Sequence, residues 1–118
     1  MPLKKSKFKI KKIDQIVKII EKKKGKNIEI FNISEASSIT DYFIISTALS
    51  RIHLKTLRDE IMKKNNEEKI LGIDGKPESG WVVLDYGDYI IHLMSEEERN
   101  YYTLEEMWNG AAKTVYYA

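Results

Sequence analysis

From Ile10 onward apolar residues recur at Ile10, Ile13, Val17 and Ile20, with Ile16 beside them and lysines between. Spacing of three and four residues places them on one stripe of a helix. The pattern predicts a helix from residue 10 to about Lys24, where lysines suit the negative helix end and Gly25 takes the left-handed cap. Residues 27–33 (NIEIFNI) are rich in β-branched side chains and predict a strand, and the polar run 34–41 predicts a connection. Residues 42–47 (YFIIST) form a nearly continuous apolar run, expected for a central strand covered on both faces. Ser50 is placed to cap a second helix reaching about Asn65, with Leu54, Leu57 and Ile61 on one face. The pairs Lys55–Asp59, Asp59–Lys63 and Glu60–Lys64 are expected on its solvent side.

The second half continues with a strand over residues 69–73 (KILGI), which after a strand and a helix implies a right-handed parallel crossover. Residues 74–80 carry Gly, Lys, Pro and Ser and predict a loop. Residues 81–86 and 89–94 are two apolar segments separated only by Gly87-Asp88, which suits a type II′ hairpin. Ser95 followed by Glu98 is a capping box, and Thr103 followed by Glu106 repeats the signature. Two short helices, or one kinked near Thr103, are expected there. The order α-β-β-α-β-β-β-α predicts one α/β domain with a mixed sheet of about five strands flanked by helices. The domain spans residues 10–108, between a basic flexible leader (1–9) and a tail (109–118) without clear signal.

Charge adds an asymmetry that the net value of +2 hides. Residues 1–26 hold 11 Lys against Asp14 and Glu21, a net of +9; the other 92 hold 9 basic and 16 acidic residues, a net of −7. A basic arm on an acidic body points to one anionic and one cationic partner, although a short lysine tail also serves to solubilise a frayed end. The chain has no cysteine, which removes disulfides, thiolate ligands and a cysteine nucleophile. No stretch approaches the ~20 apolar residues of a membrane span, and the lysines near the N-terminus precede no apolar signal segment. A cytoplasmic protein without membrane attachment is expected.

Candidate chemistry is sparse. His53 and His92 have no companions at metal spacing. His92 lies inside an apolar strand and reads as a neutral, hydrogen-bonded sheet histidine, because nothing pairs it with a nucleophile. Asp85 and Asp88 bracket the hairpin turn; they read as turn-forming carboxylates rather than a Mg²⁺ site, since strand alternation separates their directions. No phosphate-binding glycine motif is present. No catalytic residue, cofactor or metal is expected. Recognition is the better reading: Trp81, Leu84, Tyr86, Tyr89, Tyr101, Tyr102 and Trp108 gather near the hairpin and the C-terminal helices, mixed with acidic residues. Some of these aromatics are expected to close the core, Trp108 among them.

Two segments resemble the ribosomal silencing factor (Iojap) family. One is residues 40–61, TDYFIISTALSRIHLKTLRDEI; the other is residues 72–108, with the run W-x-x-x-D-x-G-D-x-x-x-H from Trp81 to His92 as its specific part. The likeness covers about residues 10–108. It implies a nucleotidyltransferase-like fold without catalytic residues, and binding to the large ribosomal subunit through a basic ribosomal protein, the fourteenth, on the intersubunit face. Such binding blocks association with the small subunit and represses translation under nutrient limitation. The resemblance further implies that Trp81, Leu84, Asp85, Tyr86 and Asp88 form or border the docking surface, with Asp41 and His92 in supporting positions. Lys4, Lys5, Lys7 and Lys9 are expected to reach nearby rRNA phosphates, and a homodimer is a further expectation. The chain departs from the family pattern at Ala48-Leu49, after the strand threonine, and at Ile52, which separates Arg51 from His53. A nucleotidyltransferase-type enzyme and a general RNA-binding module remain the alternatives.

Overall fold

The computed structural model describes residues 7–35, 37–107 and 113–117. The chain runs α1 (Lys7–Lys22), β1 (Lys26–Asn32), β2 (Tyr42–Ala48), α2 (Arg51–Lys64), β3 (Gly72–Lys76), β4 (Trp81–Asp85), β5 (Tyr89–Ser95), α3 (Glu96–Tyr102), α4 (Leu104–Met107) and β6 (Lys113–Tyr117), with a 3-10 turn at Pro77–Ser79. The strands form one mixed sheet in the order β3-β4-β5-β2-β1-β6. The α/β fold with helices on a mixed sheet is as the pattern predicts. The tail that carries no clear signal in sequence adds a sixth strand, β6, antiparallel to β1. Of the leader expected over residues 1–9, residues 7–9 belong to α1 and the first six lie outside the described residues.

Most of the expected elements form for the expected reasons. Ile13, Ile16, Val17 and Ile20 of α1 and Leu54, Leu57 and Ile61 of α2 bury their stripes against one face of the sheet. β2 is buried at every position, consistent with a central strand. The Ser50 side chain accepts the His53 N–H and so caps α2, which ends at Asn65. Gly87, at φ +90°, supplies the left-handed first position of the two-residue turn between β4 and β5. At the start of α3 the Ser95 hydroxyl accepts the Glu98 N–H. The Ser95 N–H itself donates to the Gly80 carbonyl, so only half of the capping box forms. Thr103, at φ 42°, ends α3 and divides the C-terminal helix into two pieces.

Several expectations are corrected. Residues 69–73 do not form the third strand: β3 starts at Gly72 and continues through Lys76, into the stretch predicted as a loop. It pairs antiparallel with β4 at the sheet edge, and every one of its residues is exposed, so no hydrophobic alternation marks it. The parallel partner of β2 is instead β5. The α1 terminus is a Schellman turn in which Lys24, not Gly25, takes the left-handed position at φ 68°. Lys24 N–H donates to the Glu21 carbonyl and Gly25 N–H to that of Ile20. Gly25 is needed for close approach, since a Cβ there would sit 2.3 Å from Ile20 Cγ2. On α2 the charged side chains choose other partners: Asp59 pairs with the adjacent Arg58, and Glu60 reaches Lys23 on α1 at 4.0 Å.

Candidate docking surface

Alternation along β4 divides the expected site residues between two faces. Val82 and Leu84, with Tyr86 just beyond the strand, point into the core beneath α1 and α2, whereas Trp81, Val83 and Asp85 are half-buried on the opposite, outer face. Leu84 is 0% exposed and Tyr86 8%, so both border the surface through packing and present no side chain to a partner. Tyr86 stacks on Tyr89 at a ring distance of 5.3 Å. The Tyr89 hydroxyl accepts a hydrogen bond from the buried Asn65 amide. Desolvation pushes the Tyr89 phenol up to about 12 and raises that of Tyr86, which keeps both neutral hydrogen-bonding groups of the core.

The outer face is built on a short aromatic chain. The Trp81 indole N–H donates to His92 Nδ1 at 3.0 Å, across the hairpin. His92 in turn lies 4.3 Å from the Phe43 ring. Burial lowers the His92 pKa from 6.5 to about 4, which keeps the imidazole neutral and its Nδ1 lone pair available to the indole. From Trp81 the chain continues to Tyr102 at 4.8 Å and on to Tyr101 at 4.9 Å, ending on side chains 47% and 78% exposed. Phe31, Ile33, Phe43, Ile45, Met94 and Leu104 form the hydrophobic floor, with Trp81 and Ile90 packed against it.

The hairpin tip holds the acidic residues. Asp85 Oδ1 accepts the Gly87 N–H at 2.8 Å and so stabilises the turn from one side. Asp88 is exposed, and its carbonyl accepts the N–H groups of both Asp41 and Tyr42, at 3.1 and 3.2 Å. Asp41 therefore tethers the tip to the start of β2 through its backbone. These contacts hold Asp85 and Asp88 at a hairpin tip that is tied to the start of β2, and the indole–imidazole hydrogen bond holds Trp81 across the strands. His53 lies elsewhere, with Nδ1 accepting from the Leu49 N–H and Nε2 donating to the Lys23 carbonyl, and it joins α1 to α2. Among the described residues no group of three or more His, Asp or Glu gathers at metal distance.

Three contributors fall outside the expected site. Arg99 of α3 is 7% exposed; its guanidinium donates to Glu29 Oε1 at 2.6 Å, to Thr47 Oγ1 at 3.0 Å and to the Asn27 carbonyl, locking α3 onto β1 and β2. Nothing local in sequence marks an arginine as buried. Val83 and Ile90 share the outer face with Asp85, and their signal is in the sequence: a two-residue turn at Gly87-Asp88 sets Asp85 opposite Ile90 and Val83 opposite His92. Trp108 lies outside the described residues.

The family described as "Ribosomal silencing factor during starvation" matches residues 6–116, nearly the whole chain. The chain belongs to the ribosomal silencing factor family. A ribosomal silencing factor of Halalkalibacterium halodurans is 32% identical over 101 residues, covering 84% of this chain and 86% of that protein. The silencing factor of Haemophilus influenzae is 30% identical, with 81% and 96% covered. A mouse protein named "Mitochondrial assembly of ribosomal large subunit protein 1" is 30% identical, and there the match spans 44% of the relative. The crystal structure of a Chromobacterium violaceum protein shares the fold at a TM-score of 0.79 and 27% identity, with 92% of this chain and 90% of that one aligned. Ribosomal silencing factors are not a known enzyme family. Among the described residues no helix is long and apolar enough to cross a membrane.

Proposed function

We propose that this chain binds the large ribosomal subunit through a basic ribosomal protein, the fourteenth, on the intersubunit face, and blocks association with the small subunit. It thereby represses translation in the cytoplasm when nutrients are limiting. The observation that carries this reading is the family match over residues 6–116. The outer face of the hairpin supports it: Trp81 with Tyr101 and Tyr102 offers large aromatic contact area, and Asp85 and Asp88 offer negative charge to a cationic partner. Exclusion of the small subunit requires occupancy of a surface and no bond chemistry, so the protein acts without catalysis. The docking set narrows to Trp81, Asp85 and Asp88, with Tyr102 added. Leu84, Tyr86, Asp41 and His92 hold that set in place.

Sucrose-gradient co-sedimentation with separated subunits tests the reading. Wild-type protein is expected to travel with the large subunit alone and to lower the joined-ribosome peak. Trp81→Ala/Asp85→Asn is expected to lose both effects while remaining folded, since the carboxamide that replaces the carboxylate keeps an oxygen for the Gly87 N–H. Wild-type protein that ignores the large subunit, or leaves joining unchanged, overturns the proposal.

A further inference from the structure

The acidic body holds nine cations beyond residue 26, and they are not spread evenly. Four of them, Arg51, Lys55, Arg58 and Lys76, line one open groove of about 480 Å³ between α2 and the Pro77–Ser79 turn, together with Ile52, Pro77 and a single carboxylate, Glu78. A fifth, Arg99, is spent inside the fold on Glu29. Arg51, Lys55 and Arg58 fall at i, i+4 and i+7 and form one stripe along α2. The stripe is distinct from the Leu54, Leu57 and Ile61 stripe that faces the core. Arg51 is pinned across the groove, its Nε–H donating to the Glu78 carbonyl at 2.8 Å. Arg58 is steadied by Asp59 at 3.0 Å. Ile52, 80% exposed, stands between them.

We propose that this groove is a phosphate-backbone site for RNA, engaged beside the protein partner that docks on the outer face of the hairpin. Three observations favour a polyanion. The concentration of positive charge is local, on a body whose net charge is −7. The stripe runs about 10 Å along the helix at 1.5 Å per residue, enough to follow more than one phosphate of a strand. The groove is open and not enclosed, which suits a continuous backbone better than a small anion. With the Arg51 Nε–H held by the Glu78 carbonyl and the Arg58 Nε–H by Asp59, the groove acts through its charge, so its contribution is independent of base sequence and falls steeply with salt. The site rests on the ribosome-binding reading only for which RNA it meets, namely rRNA next to the docked protein. It is also separate from the N-terminal lysines, because its four cations come from α2 and β3.

Titrations of the full-length chain against the isolated large subunit and against a naked double-helical fragment of its rRNA, over a range of salt concentrations, test this. Lys55→Gln/Lys76→Gln changes two exposed side chains and is compared with wild type, with a variant in which Lys4, Lys5, Lys7 and Lys9 are Gln, and with Trp81→Ala. The groove variant is expected to bind the RNA fragment roughly tenfold more weakly at low salt. Its log–log salt slope should be shallower by about 1–2, the loss of two phosphate contacts. The same drop is expected when the groove change is added to the N-terminal variant. Unchanged affinity and slope in the groove variant overturn the proposal. So does a loss confined to an acidic probe such as polyglutamate, which would assign the groove to an acidic protein. If wild type fails to bind the large subunit yet shows groove-dependent RNA binding, the docking reading falls and the groove stands. Trp81-dependent subunit binding with an unaltered salt slope is the converse.

Discussion

The two faces of the sheet are made of different material. Beneath α1 and α2 the side chains are mainly aliphatic and closed off, with Ile16, Ile20, Ile44, Leu54, Leu57, Ile61, Leu84 and Ile91 all fully buried and the tyrosines Tyr42, Tyr86 and Tyr89 set among them. The outer face, under α3 and α4, mixes Phe31, Phe43 and Trp81 with polar groups that sit in the structure only because each finds a partner, among them His92, Arg99 and Glu29. The first face stores stability, and the second gives up some apolar packing for the surface proposed above as the docking face. Changes on the inner face should therefore cost folding first and binding only through folding. Changes on the outer face should allow the two to be separated.

The largest effect is expected from Leu57→Ala, which empties a fully buried site on the inner face. Loss of about 2–5 kcal/mol in urea-induced unfolding is expected. A loss below about 1 kcal/mol would break the comparison. Next comes Glu29→Ala, which leaves the buried Arg99 guanidinium short of its carboxylate; about 3 kcal/mol is expected by the same measurement, with α3 loosened from β1.

The third prediction concerns pH. His92 titrates near 6.5 when unfolded and at about 4 when folded, so between those values the unfolded chain binds a proton that the folded one does not. Stability is therefore full above pH 6.5 and falls as the pH drops towards 4, by up to about 3 kcal/mol. His92→Gln should flatten that part of the stability profile, and an unchanged profile would remove the histidine from the account. Smaller still, Tyr102→Ala removes one ring from the aromatic chain at about 1 kcal/mol of stability, yet should measurably weaken co-sedimentation with the large subunit. Tyr86→Phe is the matching control on the inner face: it costs no more than about 1 kcal/mol and leaves docking as in wild type. If Tyr86→Phe weakens docking and Tyr102→Ala does not, the assignment of the two faces is reversed.

Features whose cause is local were legible in the sequence. The apolar stripes of α1 and α2, the Ser50 and Ser95 caps and the Gly87-Asp88 turn each follow from a few neighbouring residues. β3 is not legible because an edge strand exposed along its whole length carries no burial pattern, and its two glycines and one lysine imitate a loop. The pairing of β2 with β5 is not legible either, because partners 47 positions apart leave no trace in either strand. The arrangement of the candidate site is half legible in sequence. The motif located the hairpin, and alternation could have shown that Leu84 and Tyr86 share a face that Trp81 and Asp85 do not. Which of those faces is closed depends on where α1 and α2 lie, which only the tertiary structure shows. Arg99 was invisible because its burial depends on three partners, all of them more than 50 residues away.

The parallel joint at the centre of the sheet also sets the order in which the chain can assemble. Tyr42 of β2 meets Tyr89 of β5, so β2 leaves the ribosome long before its inner neighbour exists. At about 5–20 residues per second, a separation of 47 positions takes roughly 2–10 s to synthesise. Through that interval α1, α2 and the β1–β2 and β3–β4 pairs can form, but the two halves of the sheet stay unjoined, with one edge of the most apolar strand open to solvent. Folding of the sheet is thus tied to completion of β5, and nascent β2 is the segment that chaperones and aggregation compete for.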